Sequence, residues 1–87
     1  MKLSIWHIPQ VPMKAFRVEV KDLEQAKLLL DTLANYDIFQ FENKVKPDYC
    51  NAQGLSVWDE LAQEWTDWED EETGISDIDE YFEMLAE

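Results

Sequence analysis

Two stretches near the start of the chain alternate between apolar and polar side chains, which is typical of a half-buried β-strand. The first covers residues 2–8 and ends before Pro9, because proline removes a backbone donor from the strand ladder. The second covers residues 15–21, where Phe16, Val18 and Val20 share one face. We therefore expect two strands, each with one buried face.

A helical period follows over residues 22–36. Asp22 is a suitable N-cap, and Gln25 three residues later completes a capping box. Apolar residues then recur three and four positions apart: Leu23, Ala26, Leu29, Leu30, Leu33 and Ala34. Residues 37–45 fit either a short helix or a strand, and the turn-forming residues over 46–54 predict a loop.

The second half of the chain predicts a hairpin and a closing helix. Residues 55–58 and 65–68 are the expected strands, and an acidic turn follows over 69–74. Ser76 is the predicted cap of a last helix with its apolar residues on one side: Ile78, Tyr81, Phe82 and Leu85. The 87 residues thus predict a single α+β domain, a small antiparallel sheet of about four strands with two helices packed on one face.

Charge is distributed very unevenly along the chain. The net charge is −13, and all seven basic residues lie within the first 46 positions. Residues 1–49 hold seven acids and are neutral, so the thirteen acids of residues 50–87 account for the whole net charge. Because apolar residues continue through this acidic part, we expect the acids to lie on a folded scaffold and to form an interaction surface.

We predict a partner-binding surface in this acidic half. Its expected members are Trp65, Asp67, Trp68, Glu69, Asp70, Glu71, Glu72, Asp79, Glu80 and Glu83. Carboxylates three or four residues apart on a helix lie roughly 5–6 Å apart, so they could imitate a row of phosphates and occupy a basic groove. A merely solubilising face is the competing interpretation. Of the two tryptophans, one should face inward and the other outward, and direct binding to nucleic acid is disfavoured because phosphates would be repelled.

A second candidate site surrounds the predicted loop. Its aromatic and amide side chains are typical of a small-ligand pocket: Tyr36, Phe39, Asn43, Tyr49 and Asn51. The same residue types also suit a loop that packs on the core through side-chain hydrogen bonds, and we favour that interpretation.

Catalysis, metals and cofactors find little support in the sequence. The single histidine, His7, and the single cysteine, Cys50, are expected to be a packed histidine and a structural thiol, since nucleophilic catalysis also needs an orienting third group. With only Gly54 and Gly74, no glycine-rich phosphate loop is expected, and residues 69–80 match a calcium loop only loosely. We therefore predict a protein that is not an enzyme and that has no cofactor or metal.

The cysteine count and the hydropathy of the chain predict its location in the cell. One cysteine permits no internal disulfide, and neither a signal peptide nor a run of about 18 apolar residues is present. The cytosol is therefore the expected location.

Several segments resemble a family of small acidic phage and prophage proteins, some of which are superinfection-exclusion proteins. The resemblance rests on residues 5–9, 36–43, 45–52 and 64–70. It implies a phage-encoded role in competition with other phages, or in resisting exclusion systems, within the host bacterial cytosol. The implied partner is a host or rival-phage protein, which could have a basic surface, and no enzymatic mechanism is implied. A homodimer joined at a strand edge is a further expectation.

Overall fold

The fold is a four-stranded sheet with two helices, and the computed structural model describes residues 2–44 and 51–86. The elements in chain order are β1 (Leu3–Ile8), β2 (Phe16–Val20), α1 (Leu23–Glu42), β3 (Ala52–Asp59), β4 (Glu64–Asp67) and α2 (Ile78–Ala86). The strands lie in the order β2-β1-β3-β4, and every neighbouring pair is antiparallel. The predicted α+β fold is confirmed.

The core lies between one face of the sheet and the two helices. Alternate residues of β1 point toward the helices, so Leu3, Ile5 and His7 are buried. The apolar core is completed by residues from β2, both helices, β3 and the segment after β4: Val20, Ala26, Leu30, Leu55, Trp68 and Ile78. This packing joins the two halves of the chain into one hydrophobic core.

The opposite face of the sheet, here called the open face, bears large aromatic and basic side chains. The strand registers bring Trp6, Arg17, Trp58 and Trp65 to this face. Gly54 lies beneath Trp6, and a Cβ atom at residue 54 would lie 2.7 Å from the indole ring. The glycine therefore allows the indole to lie flat against β3.

α1 is longer than the helical period of the sequence indicated. It continues through the ambiguous segment to Glu42, after which Asn43 N–H donates to the carbonyl oxygen of Phe39 and Lys44 N–H donates to that of Phe41 (both 3.1 Å). Residues 37–42 are therefore helical. This extension brings Asp37 to the inner face of the helix, where it is buried.

β3 begins earlier than the sequence predicted. Residues 52–54 were expected to be part of a loop, but they pair with β1 from Ala52 onward, so this boundary was wrong. The turn residues of the segment misled the prediction, since pairing across β1 outweighs local turn preference. The predicted loop residues 46–50 lie outside the described residues.

The second hairpin and the last helix follow the predicted order with shifted boundaries. β4 ends at Asp67, one residue before the buried Trp68. The predicted cap of α2, Ser76, is wrong, because the carboxylate of Asp77 accepts the N–H groups of Asp79 (2.8 Å) and Glu80 (3.2 Å). An aspartate side chain on these free amides is the usual arrangement of an N-cap.

Candidate functional site

The acidic turn after β4, here called the acidic loop (residues 69–72), is fixed by Asp70. The Oδ2 atom of Asp70 accepts from the backbone N–H of Thr73 (3.0 Å) and from its hydroxyl (2.8 Å). The main chain of Asp70 also accepts from Gly74 N–H and donates to the carbonyl of Ile75. Gly74 has a φ of 75°, which favours glycine. Asp70 therefore holds the loop in one conformation.

Three glutamates extend from this ordered loop into solvent. Glu69, Glu71 and Glu72 are exposed, whereas Asp70 is half-buried. Among the described residues, no basic side chain forms an ion pair with these glutamates. The loop thus presents unneutralised negative charge on a fixed backbone.

A concave pocket of about 410 Å³ lies between the acidic loop and the two helices. Trp68 and Tyr81 contact each other edge to face, with ring centroids 5.5 Å apart, and both line the pocket. Leu23 of α1 and the acidic loop complete the lining. Aromatic rings beside carboxylates suit a cation, because both the ring face and the carboxylate attract positive charge.

The exposed side of α2 adds further acids next to this region. Asp79, Glu80 and Glu83 are exposed. Asp79 is partly neutralised by Lys27 of α1, whose ammonium lies 3.0 Å from Asp79 and 3.1 Å from Asp31. The hydrogen bond to Asp79, and then that to Asp31, raises the pKa of Lys27 above its usual value. Glu80 and Glu83 form no ion pair within the described part of the chain.

The two tryptophans of the predicted surface lie on opposite sides of the sheet. Trp68 is only 4% exposed and belongs to the core, while Trp65 lies on the open face against Trp58 (5.2 Å). The prediction that one would face inward and the other outward is confirmed. Trp68 is too deeply buried to anchor a partner by itself, so its inclusion as a contact residue is corrected to a supporting position under the acidic loop.

The remaining predicted surface residue, Asp67, is separated from the acids of α2. It pairs with Ser56 across β3 and β4, and its exposed side chain therefore lies on the open face. The structure thus brings together Glu69, Glu71 and Glu72 around one pocket, and it displays Glu80 and Glu83 on α2.

The second predicted site is divided between two places. Tyr36 and Phe39 are exposed on α1, and the side chain of Asn43 donates to the carbonyl oxygen of Phe39 (2.8 Å). Asn51 lies elsewhere, and its amide donates to Oδ2 of Asp37 (2.8 Å). Tyr49 lies outside the described residues.

A buried polar network, which the sequence did not predict, connects β1, α1 and β3. His7 and Asp37 are each only 2% exposed, and the His7 Nε2 atom lies 2.7 Å from Asp37 Oδ2. Since that oxygen also accepts from Asn51, Nε2 is the donor. His7 Nδ1 faces Gln53 Oε1 at 2.9 Å. The expectation of a packed histidine is confirmed, whereas Cys50 lies outside the described residues.

The sequence did contain a signal for this network. Ala26, Leu30, Leu33 and Asp37 follow one another at spacings of four, three and four residues. An acid on the apolar side of a helix needs a buried partner, and His7 is the single histidine of the chain. The signal was missed because residues 37–45 were not assigned to the helix.

An apolar pocket of about 390 Å³ lies beside the buried network. It is lined by His7, Pro9, Gln10, Phe16, Leu33, Tyr36, Asp37 and Gln40. Tyr36 is the member of the predicted ligand pocket that lines this cavity.

Within residues 2–44 and 51–86, no three His, Cys, Asp or Glu side chains converge as a metal site would require. Asp70, inside the segment that loosely matched a calcium loop, is hydrogen-bonded to Thr73. Neither α1 nor α2 combines the length and apolar character needed to traverse a membrane.

Fold and surface together define a small acidic α+β protein with clusters of exposed acids on one ordered loop and on the outer side of one helix. The superinfection exclusion gene product 17 family matches residues 2–87, and the chain belongs to this family. It is 48% identical, over 98 aligned residues, to the superinfection exclusion protein of Salmonella phage P22, covering 100% of this chain and 95% of that protein. No solved structure matches the chain. The resemblance to phage superinfection-exclusion proteins is thus confirmed, and it supports the predicted accessory role in superinfection exclusion.

Proposed function

We propose that the chain acts in superinfection exclusion by binding a host or rival-phage protein through the acidic loop and the outer acids of α2. The observation that carries this proposal is the pocket of about 410 Å³, which has aromatic residues in its lining and three exposed glutamates beside them. A lysine or arginine of the partner fits this chemistry, because its charge meets the carboxylates while its alkyl stem contacts the half-buried Tyr81 ring.

The charge distribution supports the same kind of partner. Residues 51–86 contain no Lys or Arg, and Lys27 of α1 is the one basic side chain of the described residues that pairs with an acid there. A field of one sign attracts a basic surface over a distance and repels acidic competitors. The partner in this proposal is therefore a protein with a basic surface in the host bacterial cytosol.

Imitation of nucleic acid is a more specific form of this proposal. If the partner's basic surface normally holds DNA, then duplex DNA and this chain compete for the same groove. Adding duplex DNA to the isolated complex separates the two cases. Release of the chain by stoichiometric DNA indicates imitation, and a complex that is insensitive to DNA indicates an ordinary protein interface.

Affinity capture from a host lysate, with two variants of equal charge, tests the proposal. The acidic-loop variant carries Glu69→Lys, Glu71→Lys and Glu72→Lys, and it keeps Asp70 because that residue holds the loop. The control variant carries Glu42→Lys, Glu60→Lys and Glu64→Lys, three exposed sites away from the pocket. Each variant raises the net charge by six, from −13 to −7.

The two variants should differ strongly in capture. We expect the acidic-loop variant to capture at least about tenfold less partner than the natural chain, while the control variant captures as much. The reason is that charges at the contact affect binding more than the net charge does. Capture by the natural chain should also weaken as salt rises. Equal capture by both variants would refute a contact at the acidic loop.

The apolar pocket beside His7 supports a second candidate, the binding of a small ligand. Its volume of about 390 Å³ is within the range of ligand sites, and its wall includes Tyr36 and the buried His7–Asp37 pair. Native mass spectrometry of the purified chain should then show a bound small molecule that is lost in Tyr36→Ala and kept in the acidic-loop variant. A natural chain with no bound mass removes this candidate.

A further inference from the structure

The two edges of the sheet differ in their suitability for pairing with another strand. β4 forms one edge and has an acid at each end, Glu64 and Asp67. Two copies of β4 paired antiparallel in full register would bring these like charges opposite each other, which is unfavourable. β2 forms the other edge, and its sequence Phe-Arg-Val-Glu-Val carries one charge of each sign.

The hydrogen bonds of β1 show which backbone groups of β2 face outward. Trp58 N–H donates to the carbonyl oxygen of Lys2 (2.9 Å), so the main chain of Lys2 points toward β3. Because backbone direction alternates along a strand, Leu3 and Ile5 point the other way, toward β2. Their partners in β2 are Val20 and Val18.

Arg17 and Glu19 consequently direct their backbone N–H and C=O groups to the outer edge. Lys21 follows the same alternation, and its N–H donates to the side chain of Gln25 (2.7 Å), a group outside the sheet. Among the described residues, β2 pairs with β1 alone. The edge therefore offers two donors and two acceptors to an added strand.

We propose that β2 pairs antiparallel with β2 of a second copy of this chain, with Val18 at the two-fold axis. In this register Arg17 lies opposite Glu19 of the second copy, and the outward backbone groups of these two residues face each other. The two pairs related by symmetry form four backbone hydrogen bonds. A C2 interface requires such a self-complementary pattern.

Charge selects this register over its neighbours. Moving the axis to residue 17 would place Arg17 opposite Arg17 of the second copy, and moving it to residue 19 would place two copies of Glu19 opposite each other. Both alternatives bring like charges together, which destabilises cross-strand pairs. Only the axis at Val18 joins opposite charges at both hydrogen-bonded positions.

In the single chain the charged side chains of β2 lie over the sheet. Arg17 donates to the hydroxyl of Ser4 (2.7 Å) and lies over the Trp65 ring (5.3 Å), which holds the guanidinium on the open face. Glu19 pairs with Lys2 (3.3 Å), so pairing between the copies requires Arg17 and Glu19 to turn outward from these contacts. On the other face, Phe16 is 57% exposed and would lie opposite Val20 of the second copy.

The overall charge distribution permits two acidic chains to meet at this edge. Residues 2–44, which include β2, contain six basic and six acidic residues and are neutral. The acid-rich β4 lies at the opposite edge of the sheet. The resulting sheet of eight strands keeps the two β4 edges at its far ends, so repulsion between the copies is small. The dimer would present two acidic loops.

Exchanging the charges of Arg17 and Glu19 tests the proposal, with dimerisation measured by sedimentation equilibrium. The natural chain should show a monomer–dimer equilibrium. Arg17→Glu and Glu19→Arg should each weaken dimerisation by at least about tenfold, because each places like charges opposite each other. The double variant with both changes restores opposite charges and should regain dimerisation. A natural chain that stays monomeric, or single variants that dimerise like it, would overturn the proposal.

A disulfide test provides an independent readout should the exchanged charges disturb the fold. Val18→Cys, in a Cys50→Ser background, places the new thiol at the two-fold axis and opposite its own copy. Such non-hydrogen-bonded pairs have their Cβ atoms close enough for a disulfide. Mild oxidation should give a covalent dimer. Glu19→Cys is the matched control, since it faces Arg17 instead. Equal cross-linking at both positions, or none at Val18→Cys, would contradict the register.

Discussion

At the scale of single residues, the buried pair of His7 and Asp37 determines how α1 sits on the sheet. Asp37 accepts from His7 at 2.7 Å and from Asn51 at 2.8 Å, which ties the second half of α1 to β1 and to the start of β3. Burying polar side chains is costly unless they are hydrogen-bonded, so these contacts offset the burial of His7 and Asp37.

Substitution of this pair should show strong coupling. We expect His7→Ala and Asp37→Ala each to lower the free energy of unfolding by about 1–3 kcal/mol, because each removes the buried hydrogen bond between the two side chains. The double variant should lose less than the sum of the two, with a coupling of about 0.5–3 kcal/mol. Urea unfolding followed by tryptophan fluorescence measures both quantities. Strictly additive losses would show that the two side chains stabilise the fold independently.

The packed role of His7 could be predicted from the sequence, whereas its partner could not. Ile5, Trp6 and Ile8 around the histidine indicate a strand, and a strand residue of this kind is commonly packed. Asp37 lies 30 positions further along the chain, and only the helical continuation of α1 brings it to the core. Such a pairing depends on the position of α1 over the sheet, which local preference does not encode.

At the scale of elements, α2 is held by its cap, by ring contacts and by one ion pair. The carboxylate of Asp77 caps its first turn, Tyr81 contacts Trp68, and Asp79 meets Lys27 of α1. The periodicity of the sequence predicted this helix, and on its apolar side Ile78 is buried whereas Leu85 is 58% exposed. Its cap could not be assigned from the sequence alone, since Ser76 and Asp77 are both favourable N-cap residues.

Alanine substitution of Ser76 and of Asp77 shows which of the two residues caps α2. Asp77→Ala should lower the free energy of unfolding by about 0.5–2 kcal/mol, since the first amides of α2 lose their acceptor. Ser76→Ala should change it little, because Ser76 is exposed and makes no cap hydrogen bond to the helix among the described residues. Thermal or urea unfolding gives both values. A larger loss for Ser76→Ala would contradict the observed cap.

The contact of Lys27 with α2 should depend on pH in one direction. Its pKa is raised above 10.5 by hydrogen bonds to Asp79 and Asp31, so the charged form is favoured in the folded chain. The stabilisation is therefore complete below pH 10.5 and is lost as the pH rises through the folded-state pKa. Because the pair is partly exposed, it should contribute less than about 1 kcal/mol.

Two lysine substitutions isolate this contribution. Lys27→Met should be less stable than Lys14→Met, an exposed site with the same change of charge. The difference between the two variants should stay constant at neutral pH and shrink in alkaline solution, as measured by urea unfolding. A difference that grew as the pH rose would contradict the assigned ion pair.

The strand boundaries show where element prediction succeeds and fails. β1 and β2 were predicted within one residue, because their alternation reports a sheet with one buried face. β3 began three residues earlier than predicted, since Gly54 is a turn former in sequence but a contact site for the Trp6 indole in the fold. The structural role of this glycine depends on the neighbouring strand and cannot be read from the local sequence.

At the scale of the whole molecule, charge segregation has two opposite consequences for stability and binding. The neutral part contains β1, β2 and α1, while the acidic part supplies β3, β4 and α2. Crowding of like charges in the acidic part opposes folding but favours attraction of a basic partner. The segregation itself could be predicted from the sequence. The burial of Trp68, in contrast, became evident only from the fold.

Added salt should therefore shift stability and binding in opposite directions. Between about 0.02 and 0.5 M NaCl, the free energy of unfolding of the chain should rise, because screening reduces its self-repulsion. Over the same range, capture of the partner should fall, because screening reduces the attraction between unlike charges. Urea unfolding and affinity capture at matched salt concentrations measure the two effects. Parallel changes in stability and capture would contradict the electrostatic account.

The most direct measurement is an infection assay in host cells that produce the natural chain, the acidic-loop variant or the control variant at equal levels. The effect of each on the plating efficiency of a superinfecting phage is compared. We predict that the acidic-loop variant reduces plating efficiency at least about tenfold less than the natural chain does, while the control variant reduces it as strongly as the natural chain. Full activity of the acidic-loop variant would show that Glu69, Glu71 and Glu72 are not the working surface.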